Sequence, residues 1–495
     1  MQLKESMYNV KINLLRGKLL LYNSLSRALC VLDPEEVSAL DRLEQHEYAD
    51  HGAAINGEFR DLCSQGFLLP DKTDELGIIE KMYREHRNDP SVMNLTVCST
   101  LACNFGCDYC FQGQDKSAHV MTEEVREGIV DLYRKVMEVK PEMRQVQFVW
   151  YGGEPLVKKN VIYDLSDRLI NLSIKRNIKH TASMVSNGYL MDREVAQQLS
   201  LRGLRMVQIT LDGSEKFHDA RRHLLSKKGT YQRIVGNIEQ WIDDLPINVN
   251  IRVNIDDRNK DDIVNLIDDL VARGLSGRNN LKLYFSPVEA ITRGCHNIAD
   301  KTMAKLNYGQ FEAELYRYTF EKGLCDLPYP PKFLGVCSAL RPNDYIVVPS
   351  GDVHKCWDTV SFPHKKVGTV FDLDELLGIK ENLARQRWDE FDPFSNEICS
   401  SCKLLPNCSS YCAHKFVYPE DAAGDSVLPC PPMKYSLNER LVLKAEKEGV
   451  ITRSDYTPEG IRTDPHDLTP RMHTRESMTG APLARPTTVL PVLQY

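Results

Sequence analysis

Three cysteines with the spacing CxxxCxxC stand at Cys103, Cys107 and Cys110. Thiolates this close together can hold three corners of one iron–sulfur cluster, for which a full set of protein ligands is four. The next cysteine is Cys295, so no fourth ligand follows at ferredoxin-like spacing and one iron would stay open to a small ligand. A zinc site or three buried cysteines is the alternative. The spacing predicts a redox cluster with a vacant position, which is a catalytic arrangement.

A second group of cysteines follows much later in the chain, with the pattern C-x13-G-x4-C, then C-x2-C-x5-C-x3-C, then one more cysteine. A zinc ribbon would use four of these seven thiols, so the group predicts more than one metal centre. The seven residues are Cys337, Cys356, Cys399, Cys402, Cys408, Cys412 and Cys430.

Composition narrows the class of protein. The 495 residues carry a formal net charge of −7 and no visible basic cluster, so we expect no nucleic-acid partner. No run of eighteen apolar residues is present, so we expect no membrane span. The first residues lack the design of a secretory signal. Fifteen cysteines in such a chain indicate metal or redox use in a reducing compartment, and we predict a cytoplasmic protein.

The elements that must position the first cysteine group alternate between strand and helix. The strands are predicted at 93–97, 146–150, 181–186, 206–211, 248–253 and 281–285, and the helices from Thr122 and near 159–174, 192–202, 230–243, 260–273 and 304–321. Such alternation predicts an α/β fold with a parallel sheet. Six units are too few for a complete eight-unit barrel, so an open, partial TIM-like (β/α)6 barrel is expected.

Chemistry in such folds sits at the carboxyl ends of the strands. Four polar or glycine-rich segments fall there: the cysteine loop, 152–155, 187–188 and 212–213. The sequence therefore places its candidate site at one end of the barrel.

This region resembles the radical S-adenosylmethionine (radical SAM) enzymes. The match consists of CxxxCxxC after the first strand, with Tyr109 before the last cysteine, and Gly-Gly-Glu-Pro after the second strand. The resemblance implies that S-adenosylmethionine binds the open iron and that its cleavage gives a 5′-deoxyadenosyl radical. It also implies that Glu154 accepts a hydrogen bond from the methionine amino group, that Thr210 and Arg222 lie near its carboxylate, and that Asn187 lies near the nucleoside. The cofactor-binding residues are then Tyr109, Gly152, Gly153, Glu154, Pro155, Asn187, Thr210 and Arg222.

The His218-Asp219 pair with Arg222 resembles a recurrent stretch of the same family. An isolated histidine there is equally well explained as a helix cap or a solvent-facing residue. We assign it no catalytic role.

The second cysteine group resembles the SPASM domain of peptide-modifying radical enzymes. The resemblance implies two auxiliary 4Fe–4S clusters, and hence three clusters in all. One is implied at Cys399, Cys402, Cys408 and Cys430, and the other at Cys337, Cys356 and Cys412. The second set lacks one ligand: either Cys325 supplies it, or the site is open to substrate or water.

The chain ends carry weaker signals. A hairpin over 8–25, a strand over 28–32 and helices from Asp33 and over 57–65 resemble the winged-helix peptide-recognition (RRE-like) element of ribosomal-peptide maturases; a small cap is the alternative. The polar, proline-dotted C-terminus predicts a disordered tail. The expected division is 1–88 recognition or cap, 89–290 radical SAM barrel, 291–331 bridge, 332–440 SPASM domain and 441–495 tail.

These resemblances imply a peptide maturase that abstracts hydrogen from a ribosomal precursor peptide with a leader, giving an oxidised or cross-linked residue (thioether or carbon–carbon). Reduced flavodoxin or ferredoxin would be the electron donor. The alternatives are a formylglycine-forming sulfatase-maturase-like enzyme and a non-catalytic iron–sulfur electron-transfer protein. In the sulfatase group an aspartate follows the cysteine equivalent to Cys356; here Trp357 does, and Asp358, one residue later, is the candidate catalytic side chain.

Overall fold

The structure is a computed structural model of the chain. It describes residues 2–44, 59–113, 119–326, 330, 336–378, 380, 382–408, 411–423 and 428–474. Part of the predicted helix over 57–65, part of the predicted bridge over 291–331 and the end of the predicted tail, 475–495, lie outside these residues.

The N-terminal residues form a small module with two sheets. Three strands, Asn9–Asn13, Leu19–Asn23 and Leu29–Leu32, make an antiparallel sheet in that order, with Val10 opposite Tyr22. This confirms the predicted hairpin and third strand. Strands β1 and β5 pair with each other. The elements are β1 (Leu3–Glu5), β2 (Asn9–Asn13), β3 (Leu19–Asn23), β4 (Leu29–Leu32), α1 (Pro34–Glu44), α2 (Arg60–Ser64), β5 (Leu68–Pro70) and α3 (Glu75–Arg87).

The central sheet contains the six predicted parallel strands in chain order. They are β6 (Val92–Thr100), β7 (Gln145–Gly152), β8 (Lys179–Ser186), β9 (Leu204–Thr210), β10 (Asn248–Ile255) and β11 (Leu281–Pro287). Each pairs in parallel with its neighbours, and β6 and β11 are not paired with each other, so the barrel is open. The predicted α/β partial barrel is confirmed.

Amphipathic helices follow the strands and bury one face against the sheet. Thr122 caps the first of them by accepting a hydrogen bond from the Val125 amide, as its sequence position predicts. Ile234, Ile238 and Trp241 are fully buried on the fifth. The helices are α4 (Glu123–Val139), α5 (Lys159–Lys175), α6 (Arg193–Leu201), α7 (Glu215–Arg221), α8 (Tyr231–Trp241), α9 (Ile263–Ala272) and α10 (Lys305–Glu321).

The cysteine-rich region extends the barrel sheet. Strand β12 (Tyr345–Val347) pairs in parallel with β6, and β13 (Asp352–His354) and β14 (Gly368–Thr369) continue the sheet antiparallel. Strands of two or three residues are too short to show a period in sequence. Short helices follow: α11 (Leu373–Leu376), α12 (Leu383–Asp389), α13 (Glu397–Ser400), α14 (Leu405–Cys408) and α15 (His414–Val417). The region is therefore joined to the barrel edge that carries the cysteine loop.

The prediction of a disordered tail from residue 441 is wrong for residues 441–474. Helix α16 (Leu437–Lys447) and the segment after it pack against the N-terminal sheet in one apolar cluster. Tyr456, Ile461 and Leu468 are the buried anchors of that segment. These apolar anchors stand singly among polar residues and prolines, so the composition of the segment is that of a disordered chain although the segment is packed.

No helix in the described ranges is long and apolar enough to cross a membrane.

Candidate active site

A cavity of about 660 Å³ opens at the carboxyl ends of the barrel strands. Two cysteine sets line it from opposite parts of the chain. The first set is Cys103, Cys107 and Cys110, and the second is Cys337, Cys356 and Cys412. The two sets, which lie more than 200 residues apart in the sequence, thus face the same cavity.

The first cysteine loop is held by backbone hydrogen bonds to the segment after α7. The Gly106 amide donates to the His223 carbonyl at 3.0 Å, and the Leu225 amide donates to the Asn104 carbonyl at 2.9 Å. The Phe105 amide lies 3.4 Å from the Cys103 sulfur, a donor directed at the thiol. The loop therefore presents its sulfur atoms on a fixed backbone, as a cluster ligand set requires.

Gly152 and Gly153 line the cavity, but the close approach that requires glycine is to the cysteine loop. A Cβ at residue 153 would lie 2.3 Å from the carbonyl oxygens of Leu101 and Ala102. The Gly153 amide donates to the Thr100 carbonyl at 3.0 Å. The two glycines thus let the end of β7 pack backbone to backbone against the start of the cysteine loop.

Glu154 does not reach the cavity: it is fully buried. Its carboxylate accepts hydrogen bonds from the Leu156 amide (3.0 Å), the Ser186 hydroxyl (2.9 Å) and the Asn187 amide (2.7 Å). Burial raises the pKa of the Glu154 carboxyl. These hydrogen bonds join the ends of β7 and β8. The contact of this carboxylate with a cofactor amino group stays a prediction. Pro155, also buried, begins the next turn behind it.

Tyr109 anchors a polar network across the cavity floor. Its hydroxyl contacts the Asp212 carboxylate, accepts a hydrogen bond from Arg222 Nη1 at 2.5 Å and lies 3.4 Å from Asn254 Nδ2. The Arg221 guanidinium lies 4.9 Å from the centre of the tyrosine ring. Burial and the Asp212 charge raise the pKa of the Tyr109 phenol, with Arg222 opposing, so it remains a neutral hydrogen-bonding group.

Arg222, Thr210 and Asn187 also line the cavity, and their contacts with S-adenosylmethionine stay predictions. Arg222 Nε is buried and has no hydrogen-bond partner among the described residues. Asn187 Nδ2 donates to Asn104 Oδ1 at 2.8 Å and lies 4.0 Å from the Cys103 sulfur. The Arg222 side chain thus lines the cavity beside the first cysteine set and keeps one buried N–H without a partner among the described residues.

His218 has a structural role. The fully buried ring accepts from the Asp212 amide (3.3 Å) at Nδ1 and contacts the Thr230 hydroxyl (3.0 Å) at Nε2. Burial, together with Arg222 and Arg221, lowers the pKa of the imidazole well below its ordinary value. His218 thus positions the loop that carries Asp212 and does not face solvent, contrary to one of the two explanations offered from sequence.

This burial predicts a pH-dependent stability. The unfolded chain takes up a proton on His218 near pH 6.5, whereas the folded chain does not, so acidification below pH 6.5 favours unfolding. Relative to His218→Gln, whose side chain does not titrate, the wild type should lose about 1.4 kcal/mol of unfolding free energy per pH unit below 6.5. Denaturant midpoints of both proteins at pH 7.5, 6.5 and 5.5 measure this, and parallel profiles would contradict it.

The second cysteine set surrounds a carboxylate. Asp358 Oδ2 lies 3.7 Å from the Cys356 sulfur and makes no ion pair within the described chain. The pKa of the Cys356 thiol is raised, chiefly by burial and further by the nearby Asp358, Cys412 and Cys337. These three side chains therefore lie close to Cys356. Burial likewise raises the pKa of Asp358. Cys325 is not among them: its thiol is buried and lies 3.7 Å from the Tyr316 carbonyl.

Cys399, Cys402 and Cys430 lie together outside the lining of the cavity. Burial raises the pKa of Cys399 to about 12, with Cys430 and Cys402 contributing, so these thiols are neighbours. Lys434 Nζ lies 3.7 Å from the Cys430 sulfur. Cys408 ends α14, six residues beyond Cys402. Among the described residues, no three His, Cys, Asp or Glu side chains are arranged to hold a single metal ion.

Sequence reasoning missed several cavity residues. The Tyr151 and Trp357 rings stack at 4.4 Å and join the two cysteine sets along one wall. Arg252, near the end of β10, is held by Asn254 Oδ1 and Ser286 Oγ at 2.7 Å each. Its place at a strand end could have identified it. Lys415, which bonds both oxygens of Glu289 at 2.8 Å, carries no sequence signal.

Comparison with known proteins agrees with this geometry. Residues 97–270 match the family model described as the Radical SAM superfamily. The radical SAM cyclopropyl synthase TigE of Paramaledivibacter caminithermalis is 22% identical over 79% of this chain and 85% of its own length. A serine-type anaerobic sulfatase-maturating enzyme of Klebsiella aerogenes is 22% identical over 66% of this chain and 80% of its own. The solved structure of native anSMEcpe with bound AdoMet and Kp18Cys peptide has a TM-score of 0.52 at 17% identity, covering 72% of this chain and 98% of that one.

The barrel with its cysteine loop is thus a radical SAM domain. The chain is an enzyme with a radical SAM domain, since the relatives it matches are named as enzymes, and the domain implies S-adenosylmethionine and a 4Fe–4S cluster as cofactors. The expectation of a non-catalytic electron-transfer protein is set aside, because the related proteins are named as enzymes.

Proposed function

We propose that this enzyme is a peptide maturase that oxidises or cross-links a residue of a ribosomal precursor peptide in the cytoplasm. The proposal rests mainly on one observation: the Cys103, Cys107 and Cys110 set and the Cys337, Cys356 and Cys412 set line one cavity together with Asp358. Support comes from anSMEcpe, which shares the fold and binds AdoMet with the Kp18Cys peptide. The predicted divisions 1–88, 89–290, 291–331 and 332–440 are part of this proposal.

The donor sets fit the proposed cofactors. Cys103, Cys107 and Cys110 would hold the S-adenosylmethionine-binding cluster, and Arg222 Nε would donate to the methionine carboxylate. Cys337, Cys356 and Cys412 would hold one auxiliary cluster, and Cys399, Cys402, Cys408 and Cys430 the other. When bound, these groups supply a hydrogen-abstracting radical and, beside the same cavity, a one-electron acceptor.

Asp358 is the proposed proton acceptor. Oxidising a carbon by two electrons removes a hydrogen atom, a second electron and a proton. The Asp358 carboxylate lines the cavity, and its raised pKa suits a general base.

An edge of the N-terminal β2–β3–β4 sheet would pair with an extended leader, as peptides add to exposed strands elsewhere. Reduced flavodoxin or ferredoxin is the proposed electron donor.

The test uses the anaerobically reconstituted full chain with dithionite and the short peptide encoded beside its gene. We expect 5′-deoxyadenosine from S-adenosylmethionine, and a peptide lighter by about two mass units, as two-electron oxidation requires. Asp358→Asn should retain 5′-deoxyadenosine formation and lose the mass change. No 5′-deoxyadenosine from the wild type, or an unaltered peptide beside full cleavage, would overturn the proposal.

A formylglycine-forming activity is the second candidate, favoured by the similarity to the Klebsiella aerogenes enzyme. Trp357 stands directly after Cys356 and stacks on Tyr151, so the position of the aspartate in the sulfatase group is occupied by an aromatic ring. A sulfatase-derived peptide containing cysteine or serine distinguishes the two, because only this candidate converts that residue to an aldehyde.

A further inference from the structure

The C-terminal strap, residues 463–474, lies along the loop that carries Cys399 and Cys402. The Lys403 amide donates to the Leu468 carbonyl at 2.8 Å, and Arg471 Nη1 pairs with Glu397 at 2.9 Å. Leu468 is buried in the apolar cluster shared with the N-terminal sheet. The strap is therefore a fixed wall beside these cysteines.

The strap places one imidazole on a cysteine sulfur. His473 Nε2 lies 3.5 Å from the Cys399 sulfur, within hydrogen-bonding distance for this atom pair. The ring is only 4% exposed and meets the Phe416 ring edge to face, with centroids 5.2 Å apart. Packing on both sides thus holds the ring in this orientation.

We propose that His473 donates a hydrogen bond from Nε2–H to the Cys399 thiolate and thereby raises the reduction potential of the cluster held by Cys399, Cys402, Cys408 and Cys430. This rests on the proposed function, which assigns a cluster to those four cysteines. A cluster-bound thiolate only accepts hydrogen bonds, so the donor must be the imidazole nitrogen. Donors to cluster sulfur stabilise the more negative, reduced form and so raise the potential.

His473 acts as a positioning residue and not as a ligand. Four cysteines already complete the ligand set. The nitrogen contacts the Cys399 sulfur itself, the atom that would bind iron. Lys434, 3.7 Å from the Cys430 sulfur, is a second donor at the same group. Removing either donor should lower the potential without removing iron.

The experiment compares variants of the full chain in a Cys103→Ala, Cys107→Ala, Cys110→Ala background, where EPR reports the auxiliary clusters alone. His473→Phe keeps the ring and loses the donor, whereas His473→Gln keeps an N–H donor. His466→Ala, on an exposed residue of the same strap, is the matched control. EPR-monitored redox titration, with iron analysis, gives both readouts.

We expect His473→Phe to shift one midpoint to a more negative potential at unchanged iron content, His473→Gln to restore most of the shift, and His466→Ala to match the background. An unshifted midpoint, or a loss of about four irons in His473→Phe, would overturn the proposal. The double variant Cys399→Ala, Cys402→Ala tests the assignment of a cluster to these cysteines. If its iron content equalled that of the background, the proposed cluster would be contradicted, whatever the histidine variants show.

Discussion

A chain carrying Cys103→Ala is expected to form no 5′-deoxyadenosine above an enzyme-free control. The Cys103 sulfur lines the cavity and is approached by the Phe105 amide and by Asn187 Nδ2. Its loss would remove one of the three ligands proposed for the cluster that binds S-adenosylmethionine. Iron content should fall by about four atoms per chain. Chromatography of the dithionite-reduced reaction and iron analysis measure the two effects.

The matched control is Cys98→Ala. Cys98 lies five residues earlier, is fully buried and packs in an apolar cluster with Tyr151 and Ile346. Its truncation should cost about 1 kcal/mol of stability and leave S-adenosylmethionine cleavage intact. If both variants behaved alike, the CxxxCxxC loop would not hold the cleavage site.

Gly153→Ala is expected to destabilise the protein by about 3 kcal/mol and to abolish cleavage of S-adenosylmethionine. The added methyl group would overlap the carbonyl oxygens of Leu101 and Ala102, and backbone atoms cannot yield as a flexible side chain does. Relief requires the cysteine loop to move away from β7. Thermal denaturation, iron content and 5′-deoxyadenosine formation should therefore change together.

Gly236→Ala is the control for this substitution. Gly236 lies within α8, and a Cβ built there meets nothing within 4 Å. The change should raise the free energy of unfolding by roughly 0.5–1 kcal/mol, because alanine is the better helix former. A Gly153→Ala variant as stable and active as Gly236→Ala would contradict the proposed packing between β7 and the cysteine loop.

The sequence was most informative where a regular period or a fixed spacing carries the signal. The six parallel strands and the placement of Cys103 at a strand end were predictable, because buried strands and crossover helices have distinct hydrophobic periods. The strand-end position of Asn187 followed from the same rule, whereas Thr210 was named only through the resemblance to radical SAM enzymes. Strand-end residues are thus predictable without knowledge of side-chain contacts.

Other features depend on contacts between distant residues, which no local pattern encodes. The hydrogen bonds by which the Glu154 oxygens join two strand ends have no signal in the sequence. Asp358 turned out to lie among three thiols from three segments. The strap that carries His473 looked disordered because its anchors are single apolar residues between polar ones. The surroundings of Glu154, Asp358 and the strap are thus set by tertiary contacts.

The two ends of the described chain meet in one apolar cluster, and this has a consequence for biosynthesis. Val10, Ile12 and Tyr22 pack against Leu437, Tyr456 and Leu468, and Tyr22 bonds Asn407 across 385 residues. The N-terminal sheet therefore emerges from the ribosome long before its packing partner exists. Loop closure over such a distance is slow and comes late in folding. We expect an interval in which the cysteine-rich region has been made but the C-terminal segment that packs beside it has not.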